Sequence, residues 1–455
     1  MKSLHLLLLA VIALTGFPLA SIAEPDRPNI VMIISDDHAW TDYGFMGHPH
    51  IKTPHLDRLA AESLVFQRGY VPSSLCCPSL ASMITGRYPH QHKVTGNDPP
   101  MPAGMKPGQF YKSPAFTEGR EIMNRNLAAA GLLPKMLGEK GYLSLQTGKW
   151  WQGDYRQGGF THGMTKGGRH GDEGLEIGRK TMQPIYDFIG EAQQAKKPFF
   201  IWYAPMLPHT PHNPPERLLE KYRPLTPSPH IAKYWAMVEW FDETCGELLS
   251  HLTKHGLSEN TIVVYVADNG WIQEPQSPRY SHRSKRSPYD GGLRTPIMLR
   301  WPAKVQPRRS EELASSLDLM PTLLKAAGIA AAEDLPGINL LDTKALSARK
   351  TLHGECFLHT FASLERPADN LLWRWIIDDR WKLIIPRTHG DSDLQPISEP
   401  GMDESEVEWI KSGRVELYDI VADPYETRNL AADNAAVIGE LVRKADAWWD
   451  PSKAD

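Results

Sequence analysis

Residues 29–37 read NIVMIISDD. Asn29 to Ser35 is a nearly unbroken apolar run, and two aspartates follow at once. A half-exposed strand would alternate polar and apolar residues. A continuous run of this length fits a strand covered on both faces, as in a parallel sheet. Three other stretches have the same form. Tyr142 to Gln146 leads into Gly148-Lys149, Phe199 to Ala204 (FFIWYA) leads through a short loop to His209, and Thr261 to Ala267 (TIVVYVA) leads into Asp268-Asn269. Helix-like stretches lie between them, at Pro54 to Ser63, Leu127 to Lys140 and Tyr234 to His255. This alternation predicts an α/β fold, with a large mixed, mostly parallel sheet sandwiched by helices.

In such sheets, ligands bind beyond the carboxyl ends of the strands. One polar residue after one strand reads as an ordinary loop flank. Four runs that deliver Asp, Asp, Lys, His, Asp and Asn to one edge predict a polar site. Asp36, Asp37, Asp268 and Asn269 offer three carboxylates and an amide oxygen, a hard donor set suited to Ca²⁺ or Mg²⁺ rather than zinc. No Cys/His spacing of a zinc site occurs. A cation there would bind an anionic ester oxygen and stabilise developing charge. Lys149, Lys285 and His209 would add positive charge around the same anion.

Residues 73–86, SSLCCPSLASMITG, carry two of the four cysteines. Pro78 fits the first turn of a helix and Gly86 its C-terminal stop. Cys76 then stands at the helix N-terminus, where unpaired N–H groups favour an ionised nucleophile. The plain alternative is a small buried cysteine near a helix start. A bond between adjacent Cys76 and Cys77 would be strained. A bond between two of the others is open, but four cysteines in 455 residues are not a disulfide scaffold.

The chain has 455 residues, 41% hydrophobic and 23% charged, with a formal net charge of −4. This is ordinary globular composition, with no basic excess to indicate a nucleic-acid partner. Lys2, the apolar run Leu4 to Leu14 and Ser21-Ile22-Ala23 form a secretory signal peptide over residues 1–23. The run falls short of the roughly 20 residues of a membrane anchor, and no later segment spans a bilayer. The expected mature protein is exported, to the periplasm or outside the cell. After about residue 350 the texture changes. Trp373 to Ile377 and Trp381 to Ile385 read as hairpin strands, and Ala435 to Trp449 as an amphipathic helix capped by Asn434. The expected division is a catalytic α/β domain over 24–350 and, over 351–455, a smaller antiparallel sheet with a packed helix.

These blocks resemble the type I, formylglycine-dependent sulfatases of the alkaline-phosphatase superfamily. Their signature is C-x-P-S-R, a short helix and T-G, and Cys76-Cys77-Pro78-Ser79 with Thr85-Gly86-Arg87 match it. Pro28 through Asp37, Lys52 to Ala60 (KTPHLDRLA), Pro208 to His212 (PHTPH), Asp268-Asn269-Gly270 and Lys285 to Pro296 (KRSPYDGGLRTP) follow in the family's order. Glu416 to Asp419 and Asp423 to Glu426 resemble its C-terminal signature. The resemblance implies that a formylglycine-generating enzyme oxidises Cys76. It implies that the hydrated aldehyde attacks the sulfur of a sulfate ester. Asp36, Asp37, Asp268 and Asn269 would hold Ca²⁺, which also touches residue 76. Lys149, Lys285 and His209 would bind the sulfate, with His209 or Lys285 protonating the leaving alcohol. The substrate-selecting loops, Asn97 to Arg120, Asp154 to Glu173 and Trp271 to His282, are rich in aromatic and basic residues and suit a sulfated carbohydrate.

Two family positions differ. The Arg of C-x-P-S-R is Leu80, and the His of G-K-W-H is Trp151. Arg87 lies about 10 Å along the helix from Leu80, too far for a simple replacement. His38, Arg169 and His170 are possible stand-ins, each with an ordinary loop role as the alternative. Three functions are therefore compared: an active sulfatase in which other residues fill both roles, a phosphoester or phosphonate hydrolase with unmodified Cys76, and a non-catalytic protein that binds sulfated glycans.

Overall fold

The computed structural model describes residues 27–390, 397, 399 and 402–453. The expected leader, residues 1–23, lies outside them. Among the described residues, eight strands form one large sheet: β1 (Asn29–Ser35), β2 (Leu64–Phe66), β3 (Leu143–Gly148), β4 (His162–Gly163), β5 (Phe199–Ala204), β6 (Thr261–Ala267), β7 (Ile297–Arg300) and β8 (Arg308–Ser310). Their order across the sheet is β4-β3-β5-β1-β6-β7-β2-β8. Within these strands, only β7 runs antiparallel to its neighbours. The sheet is thus mixed and mostly parallel, as the apolar runs require.

Helices cover both faces, and this is why the central strands are apolar at every position. The helices are α1 (Pro54–Ala61), α2 (Cys76–Thr85), α3 (Pro114–Ala129), α4 (Leu133–Gly138), α5 (Gln183–Gln194), α6 (Pro229–Lys254) and α7 (Leu319–Ala326). Ile30, Met32 and Ile34 of β1 pack with Met83 and Ile84 of α2 and Leu323 of α7. Val31 and Ile33, alternating to the other face, pack with Leu56 of α1, Ile185 of α5 and Phe241 of α6. Each fully buried aliphatic side chain contributes roughly 1.5–3 kcal/mol. The predicted helix over Leu127 to Lys140 is instead the end of α3 and all of α4. Gly131, at φ 87°, breaks the chain between them.

A second, antiparallel sheet follows, with strands β9 (Thr351–Phe357), β10 (Leu371–Asp378), β11 (Trp381–Pro386) and β12 (Glu416–Asp419) in sequence order. Trp373, Trp375 and Ile384 on one face join the main core. Ile376, Leu383 and Leu417 on the other face pack under Leu441 and Ala445 of α8 (Ala435–Trp448). Asn434 does not cap α8. Its side chain donates to Leu430 O (2.8 Å) instead. Lys382, fully buried in β11, reaches Asp290 (2.7 Å) and Glu426 (2.9 Å) and ties this sheet to the main domain. All four cysteines are free and buried. Among the described residues, no helix is long and apolar enough to cross a membrane.

Candidate active site

β3, β5, β1 and β6 are adjacent and parallel, so their carboxyl ends share one edge of the sheet. Main-chain bonds continue past the strands and fix the residues that follow. Asp36 N–H donates to Leu207 O (3.0 Å), Asp268 N–H to Ser35 O (2.9 Å) and Lys149 N–H to Ala204 O (2.6 Å). Gly148 stands at φ 73°, and a Cβ there would come within 1.9 Å of Ala204 O, so only glycine allows this approach. Asp37 takes a left-handed conformation (φ 62°), which aspartate tolerates better than most residues.

α2 begins at Cys76, and no side chain of its flanking residue Leu75 caps it. Asn97 Oδ1 performs that task by accepting from the Cys77 N–H (3.0 Å). Gly86 closes the helix at φ 65° and donates to Ser82 O. The helix thereby brings Cys76 to the same edge. Ligand atoms of Asp36, Asp37, Cys76 and His209 all lie within 4.8 Å of one another.

The remaining polar residues close around them. Lys149 Nζ lies 2.6 Å from Asp36 Oδ1 and 3.6 Å from Asp268 Oδ2. Lys285 Nζ lies 2.6 Å from Asp37 Oδ1, and His209 Nε2 lies 3.4 Å from Asp37 Oδ2. Asn269 Nδ2 donates to Asp37 Oδ1 (2.7 Å), and the Asp37 N–H to Asp268 Oδ1 (3.0 Å). After these bonds, Asp36 Oδ2, Asp37 Oδ2, Asp268 Oδ2 and Asn269 Oδ1 remain buried without a hydrogen-bond partner among the described residues. A buried unsatisfied acceptor costs about 1–3 kcal/mol, and more if charged. A hard dication fits these four oxygens and would remove that cost.

The charges are strongly perturbed. Burial raises the Asp37 carboxyl, but Lys285, His209 and Lys149 outweigh it and hold the group well below the carboxylate range. Burial, with Asp36 close by, pushes Asp268 up. Burial opposes the charge on both lysines, yet the carboxylates around them raise Lys149 and Lys285 above the ordinary lysine value. Burial lowers His209. It also pushes the Cys76 thiol up to about 12.

The divergent positions have distinct surroundings. Leu80 is buried in the apolar core. Arg87 points elsewhere, donating to Ala130 O and pairing with the exposed Asp334. Trp151 is buried, and among the described residues its Nε1–H has no partner. Its ring meets His170 at 4.3 Å, edge to face, and lies under Arg169 (5.0 Å), Arg120 (5.7 Å) and Lys149 (6.0 Å). Arg169 and His170 therefore border the site. His38 does not. It bonds Ser35 Oγ (2.8 Å) and Asp42 O (3.1 Å) and stacks on Tyr43 at the opposite face of the sheet.

Several bordering residues were not singled out from the sequence. Asp98 accepts two bonds from Arg169, each 2.9 Å. Gln152 Nε2 donates to Cys77 Sγ (2.8 Å). His359, from beyond β9, approaches Asn97 Nδ2 (3.3 Å) and Asp98 (3.9 Å). Asn97, Asp98 and Arg120 lie in a stretch noted only as a substrate loop. Much of its second half is helical, at Pro107–Phe110 and in α3.

Comparison with known proteins identifies the family. The Sulfatase family pattern matches residues 28–329, and the pattern for the C-terminal part of N-sulphoglucosamine sulphohydrolase matches residues 279–393. The chain is 30% identical over 379 residues to N-acetylgalactosamine-6-sulfatase of Canis lupus familiaris, covering 73% of this chain and 69% of that one. It is 29% identical over 375 residues to arylsulfatase A of Homo sapiens, covering 70% and 67%. A structure solved in complex with its substrate, D-glucosamine-2-N,6-O-disulfate, has the same fold, with a TM-score of 0.70, 20% identity and coverage of 94% and 98%. The chain belongs to the sulfatase family, within the alkaline-phosphatase superfamily, and is a sulfuric ester hydrolase.

Proposed function

We propose that this protein removes sulfate from a sulfated carbohydrate, using a formylglycine formed from Cys76 and a Ca²⁺ held by Asp36, Asp37, Asp268 and Asn269 against residue 76. One observation carries the reading. Four buried oxygens, partnerless among the described residues, lie at the sheet edge that a helix-terminal cysteine reaches, and two buried lysines pair with Asp36 and Asp37 there. The relatives named for N-acetylgalactosamine 6-sulfate and for D-glucosamine disulfate support a sugar substrate. The leader over 1–23 supports export to the periplasm or beyond, and conversion of Cys76 requires a formylglycine-generating enzyme. We read 24–350 as the catalytic domain and 351–455 as the accessory subdomain.

Bound Ca²⁺ would supply positive charge to an ester oxygen, and hydrated formylglycine a hydroxyl nucleophile. The rest falls to the chain's own side chains. With its thiol pushed up to about 12, unmodified Cys76 stays protonated at neutral pH and is a weak nucleophile. Lys149 and Lys285 remain charged and bind sulfate oxygens in a water-poor site, where such contacts act most strongly. His209 Nδ1 is engaged by Thr210 O (2.6 Å), which leaves Nε2 facing the site. Because burial lowers His209, the Lys285 ammonium is the proton source already loaded at neutral pH. Trp151 cannot take a proton, so the base at that end of the site must be another group. His170, kept neutral by its burial and by Lys149 and Arg169, borders the same ring.

The test is mass spectrometry of the tryptic peptide containing Cys76, with assays on an aryl sulfate and a phosphodiester. Formylglycine together with sulfate release is expected. A plain thiol with phosphodiester cleavage would overturn the reading.

A further inference from the structure

Beside the site, between the main domain and the second sheet, lies a cavity of about 530 Å³ whose wall includes Arg279, His282, Arg283, Lys285 and Arg286. Its size suits one sugar unit. Lys285 belongs to both places: it lines the cavity, and its Nζ touches Asp37. Arg283 and Arg286, on either side of it, adopt left-handed backbone conformations, φ 61° and 69°, which non-glycine residues rarely do. Strain of this kind concentrates at binding sites. It accompanies a turn that places Arg283, Lys285 and Arg286 along one wall of the cavity.

The cations in this wall are only partly neutralised. Arg286 is paired with Glu399, and His282 with Asp403 (3.2 Å). Glu406, the other carboxylate of the wall, accepts from the Asp403 N–H (3.3 Å). Arg283 donates to Tyr418 Oη (2.9 Å) and Glu426 O (2.6 Å) and lies over the Tyr289 ring (4.0 Å), and among the described residues its charge has no paired carboxylate. Arg279 is exposed, and among the described residues its guanidinium has no partner. Trp373 is buried in the same wall. An exposed guanidinium without a partner among the described residues, with Lys285 and further basic residues along the same sugar-sized wall, marks a site for an anion on a polar ring.

We propose that this cavity is a second anion subsite, which binds a carboxylate or sulfate on the sugar unit next to the one that is desulfated. The proposal rests on the carbohydrate reading above. It gives the enzyme a preference for polyanionic oligosaccharides over single sulfated rings.

The experiment uses a panel of sulfated disaccharides, each with a counterpart whose neighbouring carboxylate or second sulfate is removed. Binding by calorimetry and kcat/KM are measured for the wild type, Arg279→Ala and Arg279→Lys, beside an aryl sulfate. For at least one pair the wild type should favour the acidic member by about tenfold, the worth of one charged hydrogen bond. Arg279→Ala should remove most of that preference and Arg279→Lys should keep part of it. All three should turn over the aryl sulfate within about twofold of one another, because the proposal gives Arg279 to the neighbouring unit and not to the ring that is desulfated. Preference for the uronate or the sulfate member identifies which anion the cavity takes. If no pair shows a preference that Arg279→Ala reduces while aryl sulfate is turned over, the subsite is wrong and the sulfatase reading stands. If aryl sulfate is not turned over and no acidic member binds more tightly than its counterpart, both fall.

Discussion

Lys149 Nζ lies 2.6 Å from Asp36 Oδ1, and both side chains are almost wholly buried. Removing one partner of such a pair leaves the other charge uncompensated, at a cost of about 3–5 kcal/mol. Here the loss falls on the site proposed to hold a dication. Lys149→Ala should therefore lower kcat by about 10²–10³, the usual loss for one preorganised donor to a developing oxyanion. It should also lower the melting temperature in chelator and recover most of that loss in Ca²⁺, since the ion supplies the missing positive charge. Steady-state kinetics on an aryl sulfate and melting curves with and without Ca²⁺ check both. Equal destabilisation in the two buffers would mean that Lys149 is only a packing residue.

The four partnerless oxygens of Asp36, Asp37, Asp268 and Asn269 lead to a second expectation. A ligand that binds only the folded chain stabilises it by about 2.7 kcal/mol at a hundredfold excess over Kd. Dialysis against a calcium chelator should lower the melting temperature and abolish turnover. Added Ca²⁺ should restore both, and Zn²⁺, which prefers nitrogen and sulfur donors, should not. A melting temperature indifferent to chelator would remove the case for a cation here.

Arg87 and Leu80 separate two explanations for the altered signature. Arg87 makes a pair with Asp334, a residue largely open to solvent, and one bond to Ala130 O. Pairs of this kind contribute about 0–1 kcal/mol. Arg87→Ala should change kcat/KM by less than about twofold and stability by less than about 1 kcal/mol. Leu80→Ala, a truncation inside the core, should cost about 2–5 kcal/mol in urea melts. A large kinetic defect in Arg87→Ala would show that it reaches the site after all.

Much of this architecture is legible because burial on two faces leaves a mark in the sequence. β1, β5 and β6 fall within the same bounds as the runs that announced them, since helices on both sides demand apolar residues at successive positions. The polar residues after those runs meet because parallel neighbours put like ends together, a consequence of topology once the strands are known. Other features depend on partners distant in the chain. Asp98 is ordinary until Arg169 folds over it, 71 residues on. His359 reaches the border of the site from the second domain-like segment, which no local pattern foretells. His38 follows the aspartate pair directly, but backbone geometry turns it to the other face of the sheet. Asn434 has the residue type of a cap but not the conformation, with φ −129° and ψ 43°.

Asp242 gives a prediction in pH away from the active site. It is fully buried in α6, and its carboxylate accepts from the first-turn N–H groups of α1, Leu56 at 2.7 Å and His55 at 3.2 Å. Burial raises it to about 7, although both N–H donors pull the other way. The folded chain therefore binds this proton more tightly than the unfolded chain, whose aspartates titrate near 3.8. Stability from this group is fully present below about pH 4 and is lost as pH rises towards 7. Asp242→Asn removes the titration and keeps one acceptor for the helix, at a cost of about 1 kcal/mol in acid. Urea melts of both proteins between pH 4 and pH 8 should show the wild type losing ground against the variant as pH rises. The slope should be at most about 1.4 kcal/mol per pH unit, the value for one proton. Other titrating groups cancel in the difference between the two curves. Parallel curves, or a wild type that gains on the variant, would mean that Asp242 ionises normally in the fold and that its two N–H bonds outweigh its burial.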